Sequence, residues 1–196
     1  MNLPNKLTVS RIGLTFVFMF FLFKQGILAK SLALLIFSVA SLTDFYDGRI
    51  AKRKGLVTDF GKLMDPIADK VLTLAAFLAF VELKLVHAWM AVLIISRELI
   101  ITSLRIMAVK KGKVLAATAS GKHKTASQMV VIFTILSFLV LREAGMSFFG
   151  IWNPTVEGWF KLAIFVLMLV TVILTLISGG LFLIKNKGLF LDGKAN

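Results

Sequence analysis

Five of the ten acidic residues crowd into one stretch, DFYDGRIAKRKGLVTDFGKLMDPIADK: Asp44, Asp47, Asp59, Asp65 and Asp69. Asp44 and Asp47 are three residues apart, and Asp65 and Asp69 are four apart. On a helix either spacing puts both carboxylates on one face. Two helices joined by the segment from Gly48 to Gly61 could therefore aim four carboxylates at one space. Four anions so close would repel, so the arrangement calls for a cation. The chain has no Cys, and an all-oxygen donor set suits Mg²⁺ or Mn²⁺ better than Zn²⁺. A solvated acidic loop between two apolar runs is the other reading of the same residues.

A second group is basic. Arg97 and Glu98 interrupt the apolar run AVLIISRELIITSL. Ionisable residues in such a run usually face the protein interior and often mark function; a purely structural ion pair is the plainer alternative. Arg105 follows Arg97 by eight residues, about two helical turns, so the two share a face. Lys122 and Lys124 lie in SGKHKTASQ. A nucleotide-binding P-loop is excluded there, because His123 follows Lys122 and Ala116 stands where Gly is required. Clustered cations of this kind suit a phosphate ligand, or form a basic collar on anionic lipid. His87 and His123 are isolated and make no metal site. Gly179-Gly180 predicts a close helix–helix approach.

The elements that must position these groups are set by composition. The chain has 196 residues, of which 58% are hydrophobic, and its mean hydropathy is +0.90. That is too apolar for a soluble domain of this size and predicts an all-α integral membrane protein. The net charge is +13. In a soluble protein this would suggest nucleic acid; in a membrane protein it reflects cytoplasmic segments beside anionic lipid, so no nucleic-acid partner is expected. Six transmembrane helices are predicted: an uncleaved first span over about 13–23, then 31–52, 61–81, 86–109, 126–141 and 160–184. Neither repeats nor a low-complexity linker divide the chain, so residues 1–196 read as a single domain. The Asp stretch falls at the end of the second span and the start of the third. Eighteen of the 23 basic residues lie on its side of the bilayer, the other five being Lys24, Lys30, Lys84, Arg142 and Lys161. This split predicts that the Asp stretch and both termini face the cytoplasm.

The Asp stretch resembles the signature of the CDP-alcohol phosphotransferases, D-x-x-D-G-x-x-A-R, a spacer, then G-x-x-x-D-x-x-x-D. Asp44, Asp47, Gly48, Ala51, Gly61, Asp65 and Asp69 all match it. The departure is Lys52, where the family usually has Arg; Lys keeps the charge but lacks the planar fork. The resemblance implies that Asp44, Asp47 and Asp65 are metal ligands, and that Asp69 contributes to the metal site and acts as the catalytic base. It places Thr8, Asp44, Gly48, Ala51, Lys52 and Gly61 around the CDP moiety. The opening NLPNKLTVSR and the segments RELIITSLR and GKHKTASQM are similar to the branch of the family whose acceptor is glycerol 3-phosphate. In that branch a short N-terminal interfacial helix precedes the first span, and the residues matching Arg105, Lys122 and Lys124 grip the acceptor phosphate. Arg97, about two helical turns before Arg105, is expected to support it there. The implied reaction transfers the phosphatidyl group of CDP-diacylglycerol to glycerol 3-phosphate, with CMP leaving, in the inner (plasma) membrane, and two divalent ions would neutralise the pyrophosphate. A homodimer is implied by the family alone.

Three other readings compete. The same fold could take inositol phosphate or serine as its acceptor. A divalent-cation transporter could use the carboxylates as a pathway, but the outer halves of the spans are almost wholly apolar. A basic lipid-binding scaffold would not need four Asp.

Overall fold

The computed structural model describes residues 3–54, 59–110, 119–146 and 152–186, and their side chains within 10–43, 70–108, 121–146 and 152–186. Six helices make up the fold: α1 (Leu3–Phe23), α2 (Ile27–Lys54), α3 (Asp59–Glu82), α4 (Ala88–Lys110), α5 (Ala119–Ala144) and α6 (Pro154–Lys185). Their principal contacts close into a ring: α1 packs on α2 and α3, α2 on α5, α5 on α6, α6 on α4, and α4 on α3. A further contact between α3 and α5 crosses the ring.

Local sequence fixes the ends at the side away from the Asp stretch. Between α1 and α2 the chain turns at Gly26, with φ +97, a conformation that glycine adopts without the Cβ penalty. The Gly26 N–H donates to Glu143 Oε2 at 3.1 Å, tying this turn to the end of α5. Lys30, 6% exposed, donates to the Leu22 carbonyl at 2.6 Å and so satisfies an open acceptor in the last turn of α1. α6 begins with Asn153 as its N-cap, accepting from Val156 N at 2.8 Å, and with Pro154 in its first turn, where the missing N–H costs nothing.

The core is drawn from all six helices. Phe37 of α2 packs against Phe18 of α1 and Phe133 of α5, each with ring centroids 5.5 Å apart. Ala33, Phe37 and Ala40, at helical spacing, form the buried face of α2. Small residues there let neighbouring helices approach closely. The exterior is apolar as well: Leu28 is 79% exposed, Phe16 72% and Trp159 69%. Exposed apolar surface this extensive suits a lipid environment. Among the described residues two segments, Gly121–Ala144 and Pro154–Lys185, are long and apolar enough to cross a membrane; Ser10–Phe23 and Ile27–Thr43 are shorter apolar helices.

Two expectations change in detail. The short interfacial helix is not a separate element, because α1 runs unbroken from Leu3 to Phe23; Pro4 sits in its first turn, where Pro is tolerated. The two halves of the Asp stretch are joined close to where the predicted spans 31–52 and 61–81 end and begin, and not by the whole segment from Gly48 to Gly61. α2 continues past Gly48 through Ala51 to Lys54, and α3 already contains Gly61. The run AKRK has high helix propensity, which outweighs the roughly 1 kcal/mol cost of one glycine.

Candidate active site

A cleft of about 440 Å³ opens among α3, α4, α5 and α6. Helical periodicity explains its walls. Glu98, Ile101, Thr102 and Arg105 are spaced as one stripe of α4, and Gly121, Lys124, Thr125 and Met129 as one stripe of α5. Lys70 of α3 and Phe182 of α6 also line it, together with Arg97, Lys122 and Ala126. The four basic residues singled out in the sequence, Arg97, Arg105, Lys122 and Lys124, thus come together from the consecutive helices α4 and α5.

Their depths differ. Lys124 is 2% exposed and Glu98 4%, whereas Arg105 and Lys122 are exposed. Glu98 is the hub of the buried part. Its Oε1 accepts from Lys124 Nζ and, at 3.3 Å, from Arg97 Nη1, and its Oε2 lies 3.6 Å from Lys70 Nζ. One carboxylate therefore faces three cations from three helices, more than the expected pair with Arg97. Unpaired ionic groups at such depth would be costly, so the network is what lets them be buried. Arg97 is braced from the far side by Ser178 of α6, to which Nη2 donates at 2.9 Å.

Gly179 makes that bracing possible. A Cβ there would approach Arg97 Cγ to 3.1 Å, whereas one at Gly180 would meet nothing within 4 Å. The glycine pair thus serves one specific side chain at Gly179. Beside the cleft lies a smaller recess of about 60 Å³, lined in part by Thr73, Gln128 and Glu98. Gln128 Nε2 is buried there without a partner among the described residues.

The remaining site residues fall on helices whose side chains at those positions lie outside the described residues. Thr8 is in the first half of α1; Asp44, Asp47, Gly48, Ala51 and Lys52 are in the last part of α2; Gly61, Asp65 and Asp69 are in the first part of α3. The backbone supports their expected spacing, since both carboxylate pairs lie on continuous helix. Asp69 directly precedes Lys70, which lines the cleft, so α3 links the Asp stretch to the basic residues. The all-oxygen donor set fits a hard divalent cation. Among the described residues no group of three or more His, Asp or Glu could hold a metal ion. Sequence reasoning passed over Glu98 as a site residue, and missed Lys70, Thr102, Gln128 and Ser178. Only Glu98 gave a signal, an acid within an apolar run; Ser178 is an ordinary helix residue until Arg97 is seen to reach it.

A membrane-embedded helical enzyme is the class that this fold and the Asp stretch define, and the chain belongs to the CDP-alcohol phosphatidyltransferase family, which it matches over residues 1–187. Members are transferases and generally depend on divalent metal. Named relatives narrow the comparison. The chain is 41% identical over 147 residues to the CDP-diacylglycerol--glycerol-3-phosphate 3-phosphatidyltransferase of Bacillus subtilis (strain 168), covering 69% of this chain and 76% of that one. It is 33% identical over 197 residues to the protein of the same name from Salmonella paratyphi A, covering 97% and 98%. A probable phosphatidylglycerophosphate synthase of Mycobacterium tuberculosis (strain H37Rv) is 35% identical over 181 residues, covering 91% of this chain and 78% of that one.

Proposed function

We propose that this enzyme transfers the phosphatidyl group of CDP-diacylglycerol to glycerol 3-phosphate, giving phosphatidylglycerophosphate and CMP. The observation that carries the reading is the convergence of Arg97, Arg105, Lys122 and Lys124 on one cleft next to the helix that bears Asp65 and Asp69. An acceptor that brings its own phosphate suits such a cleft. Serine offers no phosphate to these cations. Inositol phosphate would satisfy the charge equally, and the relatives' names favour glycerol 3-phosphate.

In this reading Asp69 takes the proton from the free primary hydroxyl of glycerol 3-phosphate. The hydroxyl oxygen forms a bond to the β-phosphorus of CDP-diacylglycerol, and the bond from that phosphorus to the bridging oxygen breaks, releasing CMP. Arg105, Lys122 and Lys124 hold the acceptor phosphate so that the hydroxyl is aimed at the phosphorus, while Arg97 supports them. Thr8, Asp44, Gly48, Ala51, Lys52 and Gly61 hold the CDP moiety; the small Gly48 and Ala51 let the nucleotide lie close to α2. Asp44, Asp47, Asp65 and Asp69 would hold two divalent ions, Mg²⁺ or Mn²⁺, which when bound neutralise the pyrophosphate and the leaving CMP. The six helices serve as six spans, with the site at the cytoplasmic face of the inner membrane, where a soluble acceptor meets a lipid donor. The enzyme works as a homodimer.

Arg105→Ala tests the acceptor assignment. Losing a charge-assisted hydrogen bond costs about 1.5–3 kcal/mol, so the apparent affinity for glycerol 3-phosphate should fall roughly 10- to 150-fold. That for CDP-diacylglycerol should hardly change. Equal weakening of both substrates would make the basic residues a lipid collar and remove the acceptor assignment.

A further inference from the structure

Glu98 occupies a place where an acid opposes the proposed ligand. A carboxylate facing the floor of a phosphate cleft repels any anion that enters. It is nonetheless the partner of the most buried cation there, Lys124, and lies within reach of Arg97 and Lys70 as well. While the cleft is empty this arrangement is favourable, since an ammonium buried without a counter-anion is costly.

We infer that Glu98 is a displaceable internal counter-anion: it holds Lys124 while the cleft is empty, and an incoming phosphate monoester dianion takes Lys124 from it. This deepens the acceptor reading and rests on it. The geometry supplies what such an exchange needs. Lys124 carries its charge on a flexible four-carbon stem and can turn from Glu98 toward the cleft. Arg97 is braced by Ser178 and passes against Gly179, so it stays. Glu98 then keeps Arg97 at 3.3 Å and Lys70 at 3.6 Å and is not stranded when Lys124 leaves. The released ammonium faces the same cleft as Arg105 and Lys122. A ligand must outbid a carboxylate to make this exchange. A dianionic phosphate does so, and an uncharged polyol does not, which makes Glu98 a specificity-determining residue as well as a positioning one.

The test uses the full-length chain in detergent, with inorganic phosphate as the probe at a pH where it is the dianion. Glu98→Gln should bind phosphate about three- to tenfold tighter than the wild type, since a repulsive charge next to the ligand has gone. Its ligand-free unfolding midpoint should be lower, and phosphate should raise that midpoint by more than in the wild type. KM for glycerol 3-phosphate should fall with kcat nearly unchanged. Weaker phosphate binding in Glu98→Gln, restored in Glu98→Asp, would make Glu98 a fixed strut and overturn the inference. Unchanged binding would overturn it too.

Should Glu98→Gln fail to fold, the wild-type chain carries the test. In protein labelled with ¹³C at the glutamate carboxylates, phosphate should shift one carboxylate band in the infrared difference spectrum as the ammonium withdraws. The other three glutamates, Glu82, Glu143 and Glu157, sit at the opposite end of the helices, so the band reports on Glu98. No shift at saturating phosphate would overturn the displacement. These outcomes are separable from failure of the acceptor reading, in which neither wild type nor variant would bind phosphate at all.

Discussion

Asp69 and Lys70 are neighbours with opposite parts to play. Lys70 lies in the cleft within 3.6 Å of Glu98, and Asp69 is the residue to which the proposed mechanism gives the acceptor's proton. Asp69→Asn keeps the size of the side chain and removes its basicity. Turnover should fall by at least the roughly 10²- to 10⁴-fold typical of a lost general base, while purified protein still binds CDP-diacylglycerol in the presence of divalent metal. Near-normal turnover in this variant would take the base role away from Asp69. The signature carries its own spacing, so the acidic residues stand out in the sequence, and their side chains lie outside the described residues. Glu98 was legible only as an oddity, because nothing in the spacing of Glu98 and Lys124, 26 residues apart, says that their side chains meet.

At the level of helices, α6 contributes to the site without supplying any of the expected residues. Its Ser178 and Gly179 fix Arg97 from behind. Gly179→Val would press a branched side chain into the Arg97 stem, and overpacking of this kind costs about 1–3 kcal/mol. The expected result is a lower unfolding midpoint and a KM for glycerol 3-phosphate raised about tenfold, a change equivalent to about 1.4 kcal/mol. Gly180→Ala, with open space around it, should be neutral or slightly stabilising, because alanine is the better helix former. If the two variants behave alike, the glycine pair only eases helix packing and Arg97 does not depend on it. The six helices themselves were readable from the apolar runs, and each observed helix overlaps its predicted span. The facing ends of α2 and α3 fall within two residues of the predicted 52 and 61. The starts of α1, α5 and α6 were not readable: α5 begins at Ala119, ahead of the predicted 126, so that Lys122 and Lys124 lie in its first two turns. Hydropathy marks where a helix is apolar; backbone hydrogen bonding carries it on through polar residues.

For the molecule as a whole, the ring of contacts explains how residues far apart in sequence reach one space. α3, α4, α6 and α5 are consecutive around it, and the α3–α5 contact brings the first and last of these walls together. Sequence periodicity gives each helix a buried face but not its neighbour, so this order was hidden until the structure was seen. The basic cleft and the Asp stretch then lie toward the same end of the helices, which is the arrangement a transfer between a lipid donor and a phosphorylated acceptor requires. The most direct measurement is product analysis of the purified enzyme, given CDP-diacylglycerol, divalent metal and an equimolar mixture of separately labelled glycerol 3-phosphate, inositol phosphate and serine. Under the proposed function the lipid product carries the glycerol 3-phosphate label, with one CMP released for each phosphatidylglycerophosphate formed. Preferential labelling from inositol phosphate or serine, or CMP released without a lipid product, would contradict it.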